Sequence, residues 1–229
     1  MTKTNLSTYN EKLKNAGVYL EYTDKGLVLT DGELSIMVDF TEMLPRLKKS
    51  NLEREMQIKA ARIKGQPMPQ KIIDATAGFG EDSIILAAAG FQVEMYEFDE
   101  IIALLLEDGL ARAQEIPELS AIVERMTLHK CDSIKGMQNL DYLPDCILLD
   151  PMFPGRTKTA KIKKKFQLLQ KLESPCSTEE ELLDAAVKAN PKRIIIKRPV
   201  KGPYLAGRKP SYSLEGKAIR YDCFVFTRN

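Results

Sequence analysis

KIIDATAGFGEDS, Lys71 to Ser83, is the stretch on which the fold turns. KIIDATAG reads as a strand that stops at a glycine turn, and SIILAAAG reads as a helix that ends on Gly90. A strand that passes through such a turn into a helix brings backbone N–H groups and a helix N-terminus to one point, where a ligand can sit. Gly78 and Gly80 permit the close approach and unusual φ angles that the turn needs. Downstream the rhythm repeats. FQVEMYEFD is a strand, IIALLLEDGLARAQ a helix, RMTLHKCDS a short strand and DCILLD a strand of the fully buried kind. STEEELLDAAVKAN is a helix, with Thr178 in its N-cap region and glutamates in the first turn to suit the helix dipole. RIIIKRP is another buried strand, and IRYDCFVFTR is the last. Strands alternating with helices imply βαβ units, so the expected class is α/β with a mostly parallel sheet.

Upstream the pattern differs. Val18 to Phe40 reads as short strands, with VYLEYT and GLVLT split by Asp24-Lys25 and SIMVDF following Asp31-Gly32. Leu44 to Lys64 is dense in charge and helical in pattern, and GQPMPQ breaks it. The expected organisation is a small β-rich appendage at residues 1–65 and a main domain at 66–229. A chain of 229 residues with 44% hydrophobic content can build a sizeable core. The net charge of +2 argues for no particular partner, so charge is informative only where it is local. Cys131, Cys146, Cys176 and Cys223 lie far apart with no CxxC pair. That argues against a zinc site or disulfide framework, and no metal is expected. The polar start MTKTNLSTYN lacks the apolar core of a signal peptide, and no apolar run approaches the ~20 residues that span a bilayer. A cytoplasmic protein without a membrane segment is expected.

The turn itself carries Asp74, Glu81 and Asp82, with Ala75 beside the first of them. A dinucleotide fingerprint would place a third glycine where Ser83 stands. Acids crowd out a pyrophosphate, but they suit a cationic ligand with ammonium and sulfonium groups, such as S-adenosylmethionine. Glu97, at the end of the second strand, sits where an acid accepts hydrogen bonds from both ribose hydroxyls. Phe98 would cover the adenine face, and Asp132, beside Cys131, would hold the adenine amino group. Asp132 reads equally well as a helix cap. Three successive strand ends thus each present an acid, on the edge where open α/β sheets bind ligands.

The fourth strand ends in DPMFPGR, Asp150 to Arg156. Many methyltransferases that act on exocyclic amines carry an acid or amide, two residues often including proline, and then an aromatic. Such an amine is a poor nucleophile because its lone pair is delocalised into the ring. The Asp150 carboxylate and the Pro151 carbonyl would accept its two hydrogens and aim the nitrogen, while Phe153 would stack on the base. Catalysis would be mainly orientation, with the carboxylate stabilising charge that builds on nitrogen. The bland reading makes Asp150 an N-cap and Pro151 the first residue of a helix. His129 lies in an expected strand and is read as structural.

With these segments together, the sequence resembles the RsmJ family, bacterial enzymes that methylate the N2 amine of a guanosine near the 3′ end of 16S ribosomal RNA. The resemblance rests on DATAGFGEDS, the acid of YEFD, LLDPMFPGRTKTAKIKKK and IIIKRP, and covers the chain from about Ile63 onward. RIKG, Arg62 to Gly65, matches loosely. It implies a class I, Rossmann-like methyltransferase sheet of seven strands with an antiparallel final hairpin, and a small N-terminal domain. It also implies cofactor contacts from Glu81, Asp82, Glu97, Phe98, Cys131 and Asp132, with Asp150 between cofactor and base. Family members carry arginine at the positions of Glu81 and Phe98, and a glycine-rich stretch where this chain has LKKSNLEREM.

Two basic segments flank the proposed site. RTKTAKIKKK contributes Arg156, Lys158, Lys163, Lys164 and Lys165, and KRPVKGPYLAGRKPSYS contributes Lys197 and Arg198. Phosphate contacts from such residues are salt-dependent and carry no sequence readout, and the expected partner is 16S ribosomal RNA or the small subunit. Tyr204 and Tyr212 would stack on bases, and the target guanine must leave its stack to reach Asp150. The alternatives are a methyltransferase for another amine (adenine N6 or protein glutamine), an RNA-binding module with a vestigial cofactor fold, and a nicotinamide dehydrogenase. The acids and glycines of the set disfavour the module, and Ser83 disfavours the dehydrogenase. The sequence sets no oligomeric state.

Overall fold

The structure, a computed structural model, describes residues 5–151 and 179–227. Helix α1 (Ser7–Leu13) leads into β1 (Tyr19–Thr23), which turns through Asp24-Lys25 into β2 (Gly26–Thr30). The two-residue β3 (Ser35–Ile36) completes an antiparallel sheet of order β1-β2-β3. The expected helix at Leu44–Lys64 is broken into α2 (Leu44–Leu47), α3 (Lys49–Leu52) and α4 (Met56–Ala61). The breaks fall where Lys48 and Glu55 take extended backbone, with ψ of 137° and 121°. Arg46 closes the fold-back with a two-pronged bond to Glu55 at 2.6 and 2.9 Å, and Asn51 donates to the Pro45 carbonyl at 2.8 Å. A continuous helix would run ~30 Å in a line. The broken one turns back and buries Leu47, Ile58, Ala60 and Ala61.

The main domain runs β4 (Lys71–Asp74), α5 (Glu81–Ala88), β5 (Gln92–Tyr96), α6 (Glu100–Gln114), α7 (Pro117–Val123), β6 (Met126–His129), α8 (Ser133–Gln138) and β7 (Cys146–Leu149). It continues with α9 (Glu179–Lys188), β8 (Arg193–Pro199), β9 (Tyr212–Glu215) and β10 (Ile219–Val225). The sheet has seven strands in the order β6-β5-β4-β7-β8-β10-β9. The first five are parallel, as the alternation of strands and helices predicts, and β10 is antiparallel to both β8 and β9, as the family resemblance implies.

Successive side chains on a strand point to opposite faces, and here both faces are covered. Ile72, Cys146, Leu148 and Ile195 enter one core, and Ile73, Ile147, Leu149 and Ile194 the other. The first core also takes in Leu20, Leu27, Leu29 and Ile36 of the small sheet, so the N-terminal residues share a continuous core with the main domain. The contact with α6 is close. Asp108 accepts the Leu27 N–H at 3.0 Å, Arg112 donates to the Val38 carbonyl, and a side chain at Gly109 would collide with Val38.

Beyond β8, two buried arginines shape the chain. Arg198 and Arg220 stand opposite each other in the β8–β10 register. Arg220 Nη1 donates to the carbonyls of Pro199, Val200 and Gly202 at 3.0, 2.6 and 2.9 Å, and Arg198 Nε donates to that of Pro203 at 3.0 Å. Asp222 and Glu179 face the two guanidinium groups.

Candidate functional site

Because β5, β4, β7 and β8 are parallel neighbours, their C-terminal ends lie along one edge of the sheet. Asp74 ends β4, Glu97 follows β5, Asp150 follows β7, and Lys197 lies near the end of β8. The turn after Asp74 is pinned from two sides. Ala75 N–H donates to the Leu148 carbonyl at 3.0 Å, and Ala77 N–H to the Tyr96 carbonyl at 3.1 Å.

Asp74 is only 1% exposed. Its carboxylate accepts from the Ser83 hydroxyl at 2.6 Å and the Thr76 N–H at 3.2 Å. Burial pushes this carboxyl up to about 7; the bonds from Ser83 and Thr76 oppose that, while nearby Asp82 and Asp150 add to it. Ser83, which breaks the dinucleotide fingerprint, is therefore the partner of the buried acid.

Gly78 and Gly80 have φ of 53° and 75°, in the left-handed region that favours glycine. Their surroundings differ. A side chain at Gly78 would meet open space, whereas one at Gly80 would press on Leu106 and Phe40. Gly78 leaves its turn open to a ligand, and Gly80 serves packing. The Glu97 carboxylate accepts the Gly78 N–H at 2.9 Å and the Asp99 N–H at 2.8 Å, one on each oxygen. Burial raises the Glu97 carboxyl against the pull of those N–H groups. A carboxylate offers four acceptor sites, so this one can still accept a hydroxyl.

Asp150 is half-buried at the tip of β7. Its N–H donates to the Thr76 hydroxyl at 2.7 Å, and its Oδ2 lies 3.0 Å from Lys197 Nζ. The same ammonium contacts Asp82 in the first turn of α5. Burial alone would lower Lys197, but the Asp82 and Asp150 carboxylates prevail and hold it above the ordinary lysine range. Asp82 is held in turn by the fully buried Gln57 of α4, whose amide donates to the Asp82 carbonyl at 2.9 Å and accepts from the Tyr221 hydroxyl at 3.1 Å. The N-terminal segment thus reaches the edge of the site.

The remaining expected residues are placed as follows. Phe98 is 59% exposed beside Glu97, where its ring is open to a flat partner. Cys131 is exposed, and Asp132 caps α8 by accepting the Ile134 N–H at 2.9 Å. Glu81 is exposed at the start of α5, Ala75 is buried, and Pro151 is half-buried. His129 bonds Glu94 at 2.7 Å and stacks on Tyr96. Lys197 and Arg198, expected at phosphates, both turn inward, and Arg198 is fully buried against Glu179. Tyr204 and Tyr212 are exposed, next to Arg220 and Arg193 respectively. Phe153, Arg156, Lys158, Lys163, Lys164, Lys165 and Thr178 lie outside the described residues. Thr76, Gln57 and Tyr221 are the site residues that sequence reasoning missed. Thr76 alone had a signal, a hydroxyl between the acid and the glycines of the turn.

A fold of this strand order with acids at three strand ends suits a cationic nucleoside cofactor, and comparison with known proteins agrees. A family model described as "Putative SAM-dependent methyltransferase" matches residues 2–226. The "Ribosomal RNA small subunit methyltransferase J" of Nitrosococcus oceani is 38% identical over 194 residues, 83% of this chain and 76% of that protein. Its namesake in Pseudomonas fluorescens Pf0-1 is 39% identical over 212 residues, 90% and 81% of the two chains. The chain belongs to the RsmJ family of SAM-dependent methyltransferases.

Among solved structures, a SAM-dependent methyltransferase from Neisseria gonorrhoeae superposes with a TM-score of 0.74 at 31% identity, covering 91% of this chain and 83% of that one. The family's cofactor, S-adenosylmethionine, fits what this chain offers. The turn is open above Gly78, the Glu97 carboxylate has acceptor capacity left, and the Asp82, Glu97 and Asp150 carboxylates outnumber the single Lys197 ammonium, which suits a sulfonium. Among the described residues, no helix is long and apolar enough to cross a membrane.

Proposed function

We propose that this enzyme methylates the N2 amine of a guanosine in small-subunit (16S) ribosomal RNA, with Asp150 holding the amine. The observation that carries the proposal is the Asp150 carboxylate at the tip of β7, anchored through its backbone to Thr76 and through one oxygen to Lys197. Lys197 lies on the Oδ2 side of this carboxylate, and Oδ1 is the oxygen we assign to an incoming N–H. The names of the curated relatives supply the ribosomal RNA and the subunit.

S-adenosylmethionine, when bound, supplies an electrophilic methyl group. The chain's residues do the rest. Glu97 would accept the ribose hydroxyls, Phe98 would cover the adenine, and Asp132 with Cys131 would border the base. Asp150 and the Pro151 carbonyl would accept hydrogen bonds from the two N–H groups of the guanine amine and turn its nitrogen toward the methyl carbon, and the one proton that the methylated nitrogen must lose would pass to solvent. Orientation of this kind is worth up to ~7–11 kcal/mol of barrier. The carboxylate also stabilises the positive charge that develops on nitrogen. Phe153 stacks on the flipped base. Arg156, Lys158, Lys163, Lys164 and Lys165 neutralise phosphates, and Lys197 and Arg198, engaged inside the protein, are not counted among them. Residues 1–65 form an appendage to the 66–229 methyltransferase domain, and the enzyme works in the cytoplasm, where ribosomal subunits are assembled.

The test is labelled methyl transfer to small-subunit ribosomal RNA, followed by nucleoside analysis by mass spectrometry. N2-methylguanosine is expected; methylated adenosine, or label in protein glutamine, would redirect the substrate. Asp150→Ala should abolish transfer while adenosylhomocysteine still binds by calorimetry. Wild-type turnover in that variant would remove Asp150 from the mechanism.

A further inference from the structure

Lys197 reads in the sequence as one more cation in a basic run, yet its ammonium is turned inward. Its side chain is 17% exposed, with Nζ in contact with Asp82 Oδ2 and 3.0 Å from Asp150 Oδ2. We propose that Lys197 is a positioning residue for methyl transfer, which orients the Asp150 carboxylate by tying it to the glycine turn through Asp82. This rests on the reading of Asp150 given above.

Three segments meet at the ammonium. Lys197 rises from β8, Asp150 stands at the tip of the parallel neighbour β7, and Asp82 opens α5. Each is fixed independently. The Asp150 backbone is tied to Thr76, and Asp82 is held at its carbonyl by the buried amide of Gln57. The remaining freedom at Asp150 is rotation about its two side-chain bonds. An ammonium 3.0 Å from Oδ2 restrains that rotation and favours Oδ1 as the oxygen offered to the methyl-accepting amine. The same ammonium joins the turn expected to hold the cofactor to the residue expected to hold the base, so the two halves of the reaction share one brace. A surface lysine could not do this, because its flexible stem and strong hydration keep it from fixing anything.

The rival role is charge neutralisation, in which Lys197 merely offsets buried acids. An arginine separates the two. It keeps the charge, but its planar fork on a longer stem cannot place one donor on each acid in the same geometry. A misplacement of ~1 Å at a reacting group can cost ~10²-fold in rate. Lys197→Arg should therefore melt within a few degrees of wild type, and bind adenosylhomocysteine and RNA within about threefold. Its kcat for labelled methyl transfer to ribosomal RNA should fall at least tenfold. Lys197→Ala should lose kcat similarly and regain part of it with added ethylammonium, whose –NH3+ can occupy the vacated position.

Wild-type kcat in Lys197→Arg overturns the proposal, as does a loss confined to KM or cofactor affinity. If Lys197→Ala does not fold, Lys197→Arg decides the matter alone. Failure of the wild-type enzyme to methylate ribosomal RNA would instead overturn the functional reading, and Lys197 would fall with it. An active wild type with an indifferent Lys197→Arg removes only the brace.

Discussion

Replacing Asp74 by asparagine should stabilise this protein at alkaline pH and leave it unchanged in acid. Asp74 is fully buried, and its carboxyl titrates near 7 in the folded chain against an ordinary value of 3.8. The folded protein therefore holds this proton where the unfolded chain has released it. The resulting stability is full below about pH 3.8, is lost as pH rises to about 7, and stays lost above that. The span corresponds to ~4 kcal/mol, an upper figure because neighbouring groups relax around a buried charge. Asparagine mimics the protonated acid: its oxygen can accept the Thr76 N–H and its amide can donate to Ser83 Oγ. The variant has no proton to lose. The gap in melting temperature between Asp74→Asn and wild type should open from near zero at pH 3, through ~2–4 °C at pH 4.5, to as much as ~10 °C at pH 8, since ~1 kcal/mol moves a chain of this size by ~2–4 °C. Calorimetric scans of both proteins across that range measure it. The reasoning fails if the two curves stay a constant distance apart at every pH, or if the asparagine variant is the less stable at pH 8.

Three further perturbations test other joints of the site. Thr76→Val deletes the oxygen that accepts the Asp150 N–H at 2.7 Å; stability should fall by ~1–3 kcal/mol in urea titrations, and kcat should fall with it. Glu97→Ala removes the acceptor of the Gly78 and Asp99 N–H groups, so adenosylhomocysteine should bind at least tenfold more weakly by calorimetry; an unchanged Kd would count against the ribose role. Gly109→Ala places a carbon 2.5 Å from Val38 Cγ1 and 3.0 Å from its carbonyl oxygen. Despite alanine's better helix propensity, it should destabilise by ~1–3 kcal/mol, and an increase in the urea midpoint would refute the close packing of the N-terminal segment on α6.

The central strands were legible because both of their faces are buried, which forces runs such as CILL and RIII that no exposed segment would carry. Their strand-end acids followed at once, since in a parallel sheet the residue after each run must lie on the same edge. What escaped was set by partners distant in sequence. The breaks at Lys48 and Glu55 depend on Arg46 gripping Glu55, and nothing in the local pattern announces it. The inward turn of Lys197 depends on Asp82 and Asp150, which only the fold brings to it. Helix α7, helix α8 and strand β9 went unread, being short; α8 starts at CDS, where Asp132 had been read as a ligand-holding acid or equally as a cap, without the helix that it caps. Gly109 did carry a signal, as a glycine inside a helix usually marks a close approach, but the sequence could not name Val38.

The segment after β8 is gripped by Arg220 and Arg198 through main-chain carbonyls at Pro199, Val200, Gly202 and Pro203, and by Arg220 over the ring of Tyr204. Its path is thus set by the two arginines and by backbone bonds from Val200 to Ala218 and from Gly202 to Pro199, and the side chains of Val200 and Lys201 take no part in these bonds. Such a loop can drift in sequence while keeping its shape. It is the natural place to graft new residues when retuning what the enzyme recognises, provided the two arginines are left alone.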